Sequence, residues 1–156
     1  MGRSGCRLAV VATILAATLL VPSGTASAEH PGPCAKHRQD DEPTRRFMRR
    51  LIRCASNRWE VPGGTEKAIC VARRESGLDP NAVSEPEGLY VGLFQHDAEF
   101  WPDRYDAWTR PAWELRPSAL NGRTSAIVTI RMVHTNGWGP WEGEGCEGER
   151  RRMGPG

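Results

Sequence analysis

Glu75 stands in the stretch Ala72-Arg73-Arg74-Glu75-Ser76-Gly77-Leu78-Asp79-Pro80-Asn81-Ala82-Val83-Ser84, a setting that suits a carboxyl group to proton transfer. The run from Thr65 to Glu75 reads as a helix, with Thr65 as amino-terminal cap, Glu66 matched to the dipole, and Ala68, Ile69 and Ala72 on one face. Glu75 then falls in the last turn, where the negative end of the dipole opposes a second negative charge and apolar neighbours oppose it further. A glutamic acid held in this way keeps its proton near neutrality and can deliver it as a general acid. The plainer alternative is a surface glutamate paired with Arg73 or Arg74.

A second block follows, Gly88-Leu89-Tyr90-Val91-Gly92-Leu93-Phe94-Gln95. Taken in this order, the two blocks resemble the lysozyme-like lytic transglycosylase family of bacterial cell-wall enzymes (the soluble lytic transglycosylase domain), as a small secreted member. The family pattern is Glu-Ser, then Asn/Asp-Pro-Asn-Ala, then Gly-Leu-Met-Gln, and here Phe94 stands in place of the methionine. The resemblance runs from about Arg53 to Trp141. It implies that Glu75 protonates the glycosidic oxygen between N-acetylmuramic acid and N-acetylglucosamine, then takes a proton from the muramic acid 6-hydroxyl to leave a 1,6-anhydro product. One carboxyl suffices for that route, whereas ordinary glycoside hydrolysis uses two. Asp79, Glu85, Glu87, Asp97 and Asp103 are near enough in sequence to serve as a second, so a hydrolytic muramidase stays open, as does a glycan-binding protein without turnover.

By the same resemblance Ser76 and Gln95 contact substrate, Gln95 through an amide with donors and an acceptor for N-acetyl groups. Ser76 reads equally as a helix-end cap, and Tyr90 as a cleft wall or a core aromatic. Downstream the pattern departs from the family. Its helix-opening asparagine has only Asn121 as a nearby counterpart, and its Tyr-Asn-x-Gly block is replaced by Trp138-Gly139-Pro140-Trp141. Trp138 is the candidate for stacking on a sugar ring, with core packing as its alternative.

Residues 1–28 have the layout of a cleavable secretory signal: Arg3 and Arg7, an apolar run from Leu8 to Leu20, and an Ala26-Ser27-Ala28 ending. The run is shorter than the ~20 residues that span a bilayer, and no second one follows, so a soluble exported protein is expected, and the resemblance implies association with the cell wall. The signal holds two of the 21 basic residues and none of the 19 acidic ones. The remainder is therefore formally neutral, which gives no argument for nucleic acid as a partner. Its size suits one domain with a modest core, expected as a monomer, and the resemblance implies peptidoglycan as its partner.

Four cysteines remain, Cys34, Cys54, Cys70 and Cys146, an even number suited to two disulfides in an oxidising compartment. Three pairings are possible. Cys54 with Cys70 is favoured because both fall on helices joined by the Pro62-Gly63-Gly64 turn, leaving Cys34 for Cys146. No cysteine spacing suits a metal, the histidines are scattered, and no cofactor is expected.

The elements that must position Glu75 follow from periodicity. Residues 29–43 read as an extended leader, 44–146 as the domain and 147–156 as a mobile tail. Thr44 to Trp59 reads as a helix with Phe47, Met48, Leu51, Ile52 and Ala55 on one side and five arginines on the other. That basic face reads as a solvated surface, or as a contact for anionic wall polymers. Leu89 to Gln95 reads as a short strand, His96 to Trp101 as a helical turn, and Trp101 to Pro117 as an irregular aromatic-rich loop. Asn121 or Thr124 opens a last helix that ends near Gly137. The sum is an α+β, predominantly helical, disulfide-stapled domain with a short β element, and the resemblance implies the lysozyme-like form of it.

Overall fold

In a computed structural model the structure describes residues 32–143 together with 145 and 146. The secretory signal and the tail 147–156 lie outside the described residues. Helix α1 spans Thr44–Arg58, α2 Gly64–Ser76, α3 Trp101–Trp108 and α4 Gly122–Asn136, with a two-stranded hairpin, β1 Tyr90–Val91 and β2 His96–Asp97, between α2 and α3. The fold is thus α+β and mostly helical, as the periodicity predicts.

Helix α4 is the centre of the core, with Ala126, Ile127, Val128, Ile130 and Val133 all buried. It opens where Asn121 Oδ1 accepts the Thr124 N–H at 3.0 Å and closes at Gly137, whose φ of 76° suits glycine. Helices α1 and α3 pack on it, and α2 packs on α1. Helix α1 presents Met48, Leu51, Ile52 and Ala55 inward, as its spacing requires.

Helix α2 begins one residue earlier than the sequence predicts and without a side-chain cap. Gly63, left-handed at φ 88°, makes the entry instead of Thr65. Its stripe of Ala68, Val71 and Ala72 is fully buried, and Glu75 continues that stripe at helical spacing into a half-buried position. At the other end the Gly77 and Leu78 N–H groups satisfy the Arg73 and Ala72 carbonyls. Both residues are left-handed, Gly77 at φ 65° and Leu78 also at 65°, so the chain reverses sharply just beyond Glu75. Leu78 tolerates this conformation, which a side chain disfavours, because its own side chain is buried.

The short strand predicted over Leu89–Gln95 is only Tyr90–Val91, and Gly92–Gln95 is the turn that returns it to β2. Tyr90 pairs with Asp97 and Val91 with His96. Gly92 has a φ of 81°, and a Cβ there would lie 2.1 Å from the Ala119 carbonyl oxygen. Only glycine fits that turn. His96 and Asp97 are therefore strand rather than the predicted helical turn. The stretch from Trp101, expected to be irregular, begins with α3, since Pro102 in the first turn costs no hydrogen bond and Trp101 is buried as an anchor.

The disulfides also differ from the favoured pairing. Cys34 is bonded to Cys54 and Cys70 to Cys146. The tight turn brings α1 and α2 together but not these two side chains. Cys54 lies half-buried on the flank of α1 that meets the leader, whereas Cys70 is 6% exposed and meets the chain end. The leader is held further by Arg123, whose Nε donates to the Pro33 carbonyl at 2.9 Å, and by the buried Glu42 carboxylate facing Arg50 at 3.4 Å. Among the described residues no helix is long and apolar enough to cross a membrane.

Candidate active site

One hydroxyl ties the turn that carries Glu75 to the hairpin turn. Ser76 Oγ lies 3.0 Å from the Ala72 carbonyl and 2.8 Å from the Leu93 carbonyl, so its single O–H is shared between its own helix and the hairpin turn. This bond ties the last turn of α2, the one that carries Glu75, to the Gly92-Leu93-Phe94-Gln95 turn. Leu93 and Phe94 are fully buried beneath the junction, and the Trp141 indole N–H donates to the Phe94 carbonyl at 2.9 Å. The junction is therefore anchored from below as well as across.

Gln95 occupies the fourth position of the turn with φ 47°, half-buried. Its Nε2 donates to the Gly92 carbonyl at 3.0 Å and the Ala82 carbonyl at 3.2 Å, which fixes the amide plane. Its Oε1 takes no hydrogen bond from the described residues and is the end of the amide left to accept one. Ser76, by contrast, spends its hydroxyl on the backbone.

Beyond Glu75, Thr44, Arg45, Gly77, Leu78, Asp79 and Asn81 line a cavity of about 250 Å³. Of the five possible second carboxylates, Asp79 and Asp97 brace turns, Oδ1 of each accepting a backbone N–H two residues on at 2.9 Å. Glu85, Glu87 and Asp103 are exposed. Tyr90 is 47% exposed on the hairpin, beside the exposed Val83 and Leu89, and is no part of the core.

Two predicted sugar contacts have structural duties instead. Asn121 is the amino-terminal cap of α4, its Oδ1 taking both the Thr124 N–H and the Thr124 hydroxyl. Trp138 is only 4% exposed, donates its indole N–H to the Pro62 carbonyl and packs edge-on against Trp141. Its ring is core, so it offers no face for a sugar. A cavity of about 500 Å³ at the α1–α2 turn, lined by Ser56, Asn57, Glu60, Val61, Gly64 and Thr65, holds none of the predicted residues.

The sequence did not single out His96, which is completely buried directly behind Gln95. Thr129 Oγ1 donates to the Ser125 carbonyl at 2.8 Å, so at 2.7 Å from it His96 Nε2 must be the donor. Nδ1 is then the acceptor for the Arg104 guanidinium at 3.0 Å. Burial, and next the Arg104 charge, push the imidazole pKa from 6.5 down to about 3, so the ring is neutral. Trp101 and Trp141 close around it edge-on, with ring centres at 5.0 and 5.5 Å. His96 is a positioning group in the floor beneath the hairpin, and no sequence spacing marks it as one.

No group of histidine, cysteine, aspartate or glutamate among the described residues could hold a metal ion. The chain matches no family model, no curated protein and no solved structure.

Proposed function

We propose that this is an exported, cell-wall-associated lytic transglycosylase of lysozyme-like form that cleaves the β-1,4 bond between N-acetylmuramic acid and N-acetylglucosamine in peptidoglycan. The observation that carries the reading is the Ser76–Leu93 hydrogen bond, which couples the Glu75 turn to the Gly92–Gln95 turn and so brings the two motif blocks into one junction. Glu75 gives its proton to the glycosidic oxygen as the bond to the muramic acid C1 breaks. The muramic acid 6-hydroxyl closes on C1, and its proton returns to the Glu75 carboxylate. Atoms balance without water, and the acid is restored. Gln95 Oε1 offers an acceptor for an N-acetyl N–H, and the exposed Tyr90 belongs to the same hairpin.

The oxidised chain, incubated with purified peptidoglycan, is expected to release soluble muropeptides, and Glu75→Gln to lower that rate by about 10²–10⁴ with the fold intact. Unchanged release by Glu75→Gln would remove Glu75 from the mechanism. The missing Tyr-Asn-x-Gly block, where Trp138-Gly139-Pro140-Trp141 stands and Trp138 is bound into the core, favours a glycan-binding protein without turnover as the second reading. Binding of muropeptide by parent and variant, with release by neither, would establish it.

A further inference from the structure

Helix α1 carries six arginines and neither an acidic residue nor a lysine. Arg45, Arg46, Arg49, Arg50 and Arg53 share one side of it, all but the half-buried Arg50 exposed. Arginines four apart repel, which disfavours the helix, and among the described residues two have acidic partners: Arg50 with Glu42 at 3.4 Å and Arg53 with Glu66 at 3.7 Å. Arg45, Arg46 and Arg49 form no ion pair with the described residues. Beside them lies a cavity of about 380 Å³ lined by Lys36, Arg50, Arg53, Cys54 and Asn57. The Cys34–Cys54 disulfide holds the Lys36 segment there. Lys36 also lines the neighbouring cavity of about 300 Å³ with Glu114, Arg116 and Arg123, and Arg123 has a buried Nη2 that takes no hydrogen-bond partner from the described residues. The positive band therefore continues past the helix.

We propose that this band is a docking surface for a flexible linear polymer carrying phosphodiester groups along its backbone. The charge is complementary, and Arg45, Arg49 and Arg53 repeat at about 6 Å along the helix axis, a spacing that a flexible chain can follow. Lys36, Arg50, Arg53 and Asn57 bring several donors to one cavity, and arginine rather than lysine supplies most of the band's charge, a fork that engages phosphate oxygens bidentately. Phe47, the one aromatic residue of α1, is half-buried and packed on the core, so the face lacks a platform for stacking bases. Arg45 also lines the cavity beyond Glu75, so the surface is tested by polymer binding and not by cleavage.

The test uses the whole oxidised chain and the combined variant Arg45→Gln, Arg46→Gln and Arg49→Gln, which removes like-charge repulsion and should melt no lower than the parent. Binding of synthetic poly(glycerol phosphate) is measured against salt, with poly-glutamate and double-stranded DNA as comparators. The proposal requires salt-sensitive binding by the parent, at least tenfold weaker binding by the variant, and a log–log salt slope shallower by about 2. Absence of binding by the parent, or equal binding by the variant, overturns it. Equally tight poly-glutamate would overturn the phosphate preference, and equally tight DNA would make the face a nucleic-acid surface.

Discussion

Gln95 and His96 are consecutive residues with opposite fates. The left-handed φ of Gln95 turns its side chain toward the surface, where two backbone carbonyls orient its amide and one oxygen is left over. His96, next along, enters the core between Trp101 and Trp141, with both ring nitrogens engaged. A candidate binding group and its rigid support are thus made by one change of backbone conformation. Adjacency in sequence says little about chemical role when a turn separates the two faces.

The support side should break first. Cys70→Ser with Cys146→Ser frees the segment that carries Trp141, and loop entropy for a separation of 76 residues sets the loss at about 4–5 kcal/mol. Opening Cys34–Cys54, with a separation of 20, costs about 3 kcal/mol. Denaturant titrations of the two variants measure that order, and the reverse order would mean that the Trp141 wall is secured by packing alone. Gly92→Ala drives a methyl group into the Ala119 carbonyl and strains a left-handed residue, an expected loss on the order of 3 kcal/mol in the same titration.

Acid probes His96. Its folded pKa of about 3 lies below the ordinary 6.5, so between those values the unfolded chain takes up a proton that the folded chain refuses. Stability contributed by the neutral ring is present above pH 6.5 and falls by about 1.4 kcal/mol per pH unit as pH drops toward 3. His96→Gln, which keeps an amide for Thr129 and Arg104, should show a correspondingly shallower acid slope. The smallest change is Ser76→Ala. It deletes one hydroxyl bond at the junction for about 1 kcal/mol, yet should slow peptidoglycan cleavage by loosening Glu75 against the hairpin.

The helices α1, α2 and α4 were legible because apolar residues recur at their period, and Asn121 and Gly137 mark the ends of α4. Helix α3 was hidden by prolines that happen to fall in its first turn and beyond its end. The disulfide pairing was not legible, since which flank of a helix a cysteine faces depends on what packs there. At the site, the two blocks in order pointed to a junction of the Glu75 turn with the Gly92–Gln95 turn, and the Ser76 hydroxyl bonds Leu93 of the latter. Sequence could not reveal that Asn121 and Trp138 are absorbed by a cap and a core, nor that His96 lies beneath the turn. Those facts come from long-range packing, where Thr129, Arg104 and Trp141 converge on one imidazole.

The most direct test of the single-acid account is the mass of the sugar end released from peptidoglycan by the oxidised chain, compared with Glu75→Gln. The account predicts 1,6-anhydro-muramic acid ends, lighter by one water than hydrolytic ends, and their loss in the variant. Reducing ends lost in the same variant would contradict it and require a second carboxylate to activate water.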